Sequence, residues 1–201
     1  MTIPILLLAA GASTRLEGKP KQLLPYKDKS LIRYMAEMAL SLQTGPVVVV
    51  LGAQHERMTA ELADLNLLTP FNADWPEGMA SSLRVGLNAL ADQSFDAFLV
   101  LLTDQPHVTA DLLRQLIHTR QQTGRGIVAS RYGEPGNLGV PALFDSRYQD
   151  AFMRLSGDVG ARKLIQQHAD DCEGVPFPLG AIDLDTWQDV RNWQASSQSQ
   201  Q

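Results

Sequence analysis

A chain of 201 residues suits one α/β domain better than two, and with 44% hydrophobic and 19% charged residues it can bury an ordinary core. A net charge of -5 excludes a sequence-independent nucleic-acid binder, which needs a basic face. The single cysteine, Cys172, excludes an intrachain disulfide and a cysteine-based zinc site.

From the start, Met1-Thr2-Ile3-Pro4 leads into an apolar run through Ala10 that has no basic leader and is too short to cross a bilayer. No other segment approaches transmembrane length, so a cytoplasmic location with neither membrane nor nucleic-acid partner is expected. Ile5–Ala9 reads as a buried strand, Leu31–Leu42 as a helix and Val47–Leu51 as a second strand. Gln54–Leu65 reads as helix, Leu67–Phe71 as strand and Ser81–Ala91 as helix. Phe98–Leu102 is continuously apolar, as befits a strand covered on both faces. Thr109 is placed to cap a helix through about Gln122, and Gly126–Ser130 opens another strand. This alternation predicts an α/β three-layer sandwich around a mostly parallel mixed sheet.

After Ser130 the pattern loosens, with Gly133, Pro135, Gly136, Gly139 and Pro141 crowded together. A helix-like stretch starts near Asp145, and Gly157-Asp158-Val159-Gly160 leads into helical spacing over Ala161–His168. Short strands near Val175 and Ile182 precede a last helix from Thr186. Residues 1–194 are expected to form one domain, nucleotide-binding in its first half and acceptor-binding in its second, followed by a frayed Ser/Gln tail over 195–201.

The loop Leu8-Ala9-Ala10-Gly11-Ala12-Ser13-Thr14-Arg15 follows the first strand, at the carboxyl end where open α/β sheets bind ligands. Gly11 admits a close backbone approach, successive N–H groups form an anion nest, Arg15 can fork onto phosphate oxygens, and Lys21 adds a point charge. Such a loop suits a triphosphate; the rival reading is a basic surface turn. It is not a Walker A loop, because Pro20 follows Gly18-Lys19, nor a dinucleotide G-x-G-x-x-G. Lys19 and Lys27 read as solvated charges. Asp104 ends the apolar strand in Thr103-Asp104-Gln105-Pro106, as a ligand for Mg²⁺ or as the cap of a turn. Asp183 and Asp185 share side-chain parity if extended, though Asp185 is equally placed to cap the last helix. The four histidines lie apart, without metal-ligand spacing, and only His107 adjoins the Asp104 motif.

Leu8-Ala9-Ala10-Gly11-x-Ser13-x-Arg15 followed by Lys21-Gln22-Leu23-Leu24-Pro25 resembles the signature of the nucleotidyltransferase superfamily with a GT-A-like Rossmann fold. That superfamily includes molybdenum cofactor guanylyl- and cytidylyltransferases, methylerythritol-phosphate cytidylyltransferase and sugar-nucleotide pyrophosphorylases. The resemblance runs to about Val190. It implies that Asp104 binds Mg²⁺, completed by the late acidic motif of Asp183 and Asp185, and that Gly78, Ser81 and Ser82, in Asn72-x-x-Trp75-x-x-Gly78-Met79-Ala80-Ser81-Ser82, lie over the nucleobase. Trp75 and Met79 read as core or lid residues. Gly139-Val140-Pro141 and Gly157-Asp158-Val159-Gly160-Ala161-Arg162 resemble acceptor-side motifs of the molybdenum cofactor cytidylyltransferase branch, with Val140 standing where many relatives carry His. Gly139, Pro141, Gly157, Asp158, Gly160 and Arg162 are thus candidate acceptor residues, although Asp158 and Arg162 could pair structurally.

Guanylyltransferase relatives usually carry Leu-Ala-Gly-Gly in the first loop. Here Ala10 adds a Cβ that narrows the base site and favours a pyrimidine. The resulting expectation is a transfer of CMP from CTP to the phosphate of a molybdopterin-type acceptor, the product passing to a recipient molybdenum enzyme or its chaperone. A phosphate nucleophile is already anionic and needs no general base, so Arg15, Lys21 and Asp104 would act by positioning and charge neutralisation. The alternatives are a GTP- or sugar-phosphate-type transferase and a non-catalytic nucleotide-binding module; retention of the whole cationic and acidic set disfavours the module.

Overall fold

The computed structural model describes residues 1–13, 19–133, 137–184 and 186–198. Strand β1 (Ile5–Ala9) is buried along its whole length, because its alternate side chains serve two separate cores. Ile5, Leu7 and Ala9 enter one, and Leu6 and Leu8 the other. A small hairpin of β2 (Pro25–Tyr26) and β3 (Lys29–Ser30) leads into α1 (Leu31–Leu40), where the Ser30 side chain caps the helix by accepting from the Arg33 N–H. Strand β4 (Val47–Leu51) pairs parallel to β1, and α2 (His55–Leu62) follows. Helix α3 (Met79–Asn88) and strand β5 (Ala97–Leu102) come next, β5 lying parallel to β1 on the side away from β4. The expected cap of α4 (Ala110–Thr123) is present: Thr109 accepts from the Leu112 N–H. The chain then runs through β6 (Ile127–Tyr132), β7 (Asn137–Asp145), α5 (Gln149–Met153), α6 (Ala161–Gln167), β8 (Cys172–Pro176) and α7 (Trp187–Gln198).

The six-stranded sheet has the order β4-β1-β5-β7-β6-β8, with β7 antiparallel to both its neighbours and the remaining pairs parallel. Helices α1, α2, α4 and α7 cover one face, and α3, α5 and α6 the other. The fold is therefore a mixed Rossmann-like sheet between two helical layers. From β1 the chain crosses to β4 on one side and then to β5 on the other. The order thus reverses between β1 and β5, and their carboxyl ends open a crevice there.

Four local expectations need correction. Leu67–Phe71 makes only isolated bridges, Val48 to Leu68 and Leu51 to Phe71; Pro70 within it lacks a ladder N–H. Where the sequence pattern loosens after Ser130, the described residues from Asn137 form β7, a regular strand of nine residues whose pairing with β6 shifts register at Ala129/Ser130. Asp145 ends that strand and caps a 3-10 turn over Ser146–Tyr148, which enters α5. Ile182 follows a 3-10 turn over Pro178–Ala181 and joins no strand, and α7 continues to Gln198, beyond the start of the expected tail. Among the described residues no helix is long and apolar enough to cross a membrane.

Candidate active site

A cavity of about 460 Å³ opens at the carboxyl ends of β1 and β5, a size suited to a nucleotide-sized ligand. Its walls include Leu8, Ala10, Gly11 and Ser13 from the first loop, Lys21 and Gln22, Gly78 and Ser82 around the start of α3, and Asp104 after β5. A Cβ added at Gly11 would meet nothing within 4 Å, so the glycine leaves open space at the cavity wall. Ser13 is held at φ 53, in the left-handed region, by two contacts of its hydroxyl: it donates to Gln22 Oε1 (3.3 Å) and accepts from the Lys21 N–H (3.0 Å). Gln22 is 1% exposed, and its amide donates to the carbonyls of Ala9 (3.1 Å) and Gly11 (3.0 Å). This side chain fastens the loop to the next segment. Its signal in the sequence was a polar residue before the apolar Leu23-Leu24.

Lys21 and Asp104, 83 positions apart, meet as an ion pair with Nζ 2.7 Å from Oδ2. The other carboxylate oxygen, Oδ1, is buried and has no partner among the described residues. A buried carboxylate oxygen of this kind calls for a cation or a water, which fits the metal role expected of Asp104. The late acidic motif reaches the same place: the Leu184 N–H donates to the Asp104 carbonyl (3.0 Å), which sets Asp183 beside it. Among the described residues no group of three His, Cys, Asp or Glu side chains is assembled around a metal position. Mg²⁺ commonly takes one or two carboxylates and completes its shell with water and phosphate, so the two observations agree. Arg15 and Asp185 lie outside the described residues. The cap of α7 is Thr186, which exchanges bonds with Asp189 in a reciprocal capping box.

Behind Ser82, Asn72, 1% exposed, donates to Ser81 Oγ (2.8 Å) and Ser82 Oγ (3.0 Å), while its own oxygen accepts from the Asp74 N–H. The two serines divide the work. Ser81 Oγ is within bonding distance of the Gly78 and Asp74 carbonyls and braces the turn; Ser82 lines the cavity. Neither caps α3, whose N-cap is Gly78. Ala9 is buried and contributes its carbonyl to the Gln22 bond.

The acceptor-side candidates separate similarly. Asp158 lines the cavity. Gly157 and Gly160 lie against the base-side segment: the Ala80 N–H donates to the Gly157 carbonyl (3.2 Å), and a Cβ at Gly160 would lie 2.4 Å from Met79 Sδ. Arg84 ties these segments together, pairing with Glu77 and donating to the Leu155 carbonyl. Gly139 and Pro141 are buried in β7 and are not brought to the cavity wall. Gly139 instead makes room for the ring of Tyr132, and the Pro141 carbonyl accepts from Ser130 Oγ. Arg162 is exposed on the first turn of α6.

Tyr132 was not foreseen. It accepts from Gln105 Nε2 (3.0 Å), and burial pushes its pKa up to about 12, with Asp183 and Asp104 adding to the rise and Arg162 opposing it. Lys19 lies over the Trp187 ring and Lys27 over Tyr26 and Tyr34, which takes both away from the cavity. Desolvation lowers the pKa of His107, so it brings no charge near neutral pH. Burial, with help from Glu173 and Asp171, raises the Cys172 thiol to about 11, which keeps it out of nucleophilic chemistry.

A glycine loop at a sheet reversal, sharing its cavity with a lysine and a carboxylate, is the arrangement of a nucleotide-dependent transferase fold. Residues 5–172 match the family described as the MobA-like NTP transferase domain, and the chain belongs to that family. It is a nucleotidyltransferase. It is 34% identical over 165 residues to a nicotine blue oxidoreductase of Paenarthrobacter nicotinovorans, covering 80% of this chain and 80% of that one. It is 30% identical over 166 residues to a molybdenum cofactor guanylyltransferase of Pseudomonas fluorescens, covering 81% and 78%. Among solved structures, Rv0371c of Mycobacterium tuberculosis superposes with a TM-score of 0.82 at 30% identity, covering 96% of each chain. A manganese complex of the same protein gives 0.80 at 28% identity, covering 98% and 100%. Divalent-metal use belongs to the family.

Proposed function

We propose that this chain transfers CMP from CTP to the phosphate of a molybdopterin-type acceptor, releasing pyrophosphate, with Mg²⁺ as the metal. The observation that carries the reading is the cavity itself: the Gly11–Ser13 loop, Lys21, Ser82 and Asp104 all line it, and the buried Asp104 Oδ1 has no partner among the described residues. The nucleotide would lay its phosphates on the loop, its base toward Ser82 and its α-phosphorus near Asp104. Asp104 and the neighbouring acidic motif of Asp183 and Asp185 would hold the metal. When bound, the metal neutralises phosphate oxygens and orients them. The acceptor phosphate attacks the α-phosphorus in line, the new P–O bond forms as the bond to pyrophosphate breaks, and no proton has to be removed from the nucleophile. Lys21, released from Asp104 by the bound charges, and Arg15 would offset charge on the departing pyrophosphate.

Support for CTP comes from Ala10. A Cβ at Gly52 would lie 2.7 Å from Ala10 Cβ, so the alanine is already wedged against β4's end and cannot retreat from a larger base. The similarity to a guanylyltransferase supports a second reading with GTP, and one of the relatives carries an oxidoreductase name. One assay separates the CTP and GTP readings from a binding module: pyrophosphate release with Mg²⁺ and molybdopterin, supplied with CTP or GTP. Release with CTP well above GTP is expected. Release with GTP alone overturns the base assignment, and tight CTP binding without turnover favours a binding module. The site would serve a cytoplasmic protein that hands its product to a molybdenum enzyme or its chaperone. Residues 1–194 would act as one domain.

A further inference from the structure

The Tyr132 hydroxyl is placed as a donor with no acceptor among the described residues. Gln105, 3% exposed, fixes it: its Nε2 donates both to Tyr132 (3.0 Å) and to the Gly180 carbonyl (3.3 Å), which sets the direction of the amide. The phenolic oxygen is thereby used as an acceptor, and its own O–H has no acceptor among the described residues. The ring cannot swing away. Glycines 139 and 180 pack against it so closely that an added Cβ would come within 2.8 Å and 2.4 Å, and Phe177 meets it edge-on at 6.1 Å. A high pKa keeps the proton on the hydroxyl at neutral pH. Asp104, Asp183 and Arg162 are all close enough to act on it electrostatically, whereas the nucleotide cavity is lined without it. Gln105 directly follows Asp104 and Gly180 lies three positions before Asp183, so the hydroxyl is held beside the carboxylates proposed for the metal, where an attacking anionic oxygen would arrive.

We propose that Tyr132 is a ligand of the acceptor phosphate, donating a hydrogen bond to it, and that Gln105 is the residue that positions the hydroxyl. This rests on the reading of the acceptor as a phosphate monoester. One such bond to a charged oxygen contributes about tenfold or more to binding.

The test uses inorganic phosphate as a probe, titrated calorimetrically into protein saturated with Mg²⁺ and a non-hydrolysable CTP analogue. Tyr132→Phe keeps the ring packing and is expected to weaken phosphate binding roughly tenfold while leaving the analogue's affinity unchanged. Gln105→Met should shift phosphate affinity in the same direction by less, again without touching the nucleotide. In turnover, Tyr132→Phe should raise the acceptor KM and leave the KM for CTP alone. Equal phosphate affinity in wild type and Tyr132→Phe, or no phosphate binding by wild type, overturns the assignment. A wild-type protein that binds phosphate through Tyr132 yet turns over no phosphate acceptor would defeat the transferase reading and leave the ligand assignment standing.

Discussion

Asp104 places one oxygen on Lys21, and the other is buried without a partner among the described residues, so folding gains little from it. Asp104→Ala should therefore lower kcat by about 10²- to 10³-fold, the usual cost of losing a charge-stabilising group. Its thermal melt should remain close to wild type; both are read by pyrophosphate release and differential scanning calorimetry. Asn72 is the opposite case. It is buried and bonds both serines and the Asp74 N–H, so Asn72→Ala should cost about 1–3 kcal/mol in denaturant melts and raise the nucleotide KM through Ser82. Lys21, Asp104 and Ser82, which line one cavity, were legible as candidates because a cation, a carboxylate and a hydroxyl at strand or helix ends have few other uses. Gln22, Gln105 and Tyr132 were not, since their roles come from bonds to distant backbone and side-chain atoms.

At the scale of elements, the turn into α3 and the turn into α6 are built as one unit. Gly78 has φ 121, and a Cβ there would stand 2.6 Å from the Asp158 N and the Gly157 carbonyl. Gly78→Ala should destabilise the protein by about 1–3 kcal/mol and push the 155–160 segment outward. The expected kinetic signature is an acceptor KM that rises more than the KM for CTP; an unchanged acceptor KM would show that the two turns move independently. The strands β1, β4 and β5 and the cap of α4 followed from apolar runs and a threonine before an amphipathic stretch. Strand β7 did not. Gly139 and Pro141 are poor strand residues by propensity, and they are accepted here because a tyrosine ring needs the space of one and the other leaves its carbonyl to Ser130.

Over the whole molecule, stability is concentrated in the two cores of the sheet. Phe98, Phe144 and Phe152 form one aromatic cluster with centroids 5.7, 5.1 and 4.8 Å apart. Phe98→Ala should cost about 3–5 kcal/mol in a urea melt. The far end of the sheet depends on pH. At Asp171 burial works to raise the pKa, but the bonds from Tyr148, the Gly126 N–H and Arg147 together outweigh it and hold the carboxyl below its ordinary 3.8. A depressed carboxylate stabilises the fold above its unfolded pKa and loses that contribution as the pH falls through the folded value. Acid melts between neutral pH and the region below 3.8 should thus be steeper for wild type than for Asp171→Asn.

By itself the sequence determined the class of fold and picked out the Gly11 loop and Asp104, which line one cavity, because these depend on local pattern: two-sided apolar strands, a glycine turn, charges at strand ends. Only the tertiary structure decided the insertion of an antiparallel β7 between β5 and β6. It also decided the meeting of residues 13, 21, 22 and 104, and the fastening of the Tyr132 hydroxyl by Gln105. Those outcomes depend on strand order and on bonds spanning up to 83 positions, which no local pattern encodes.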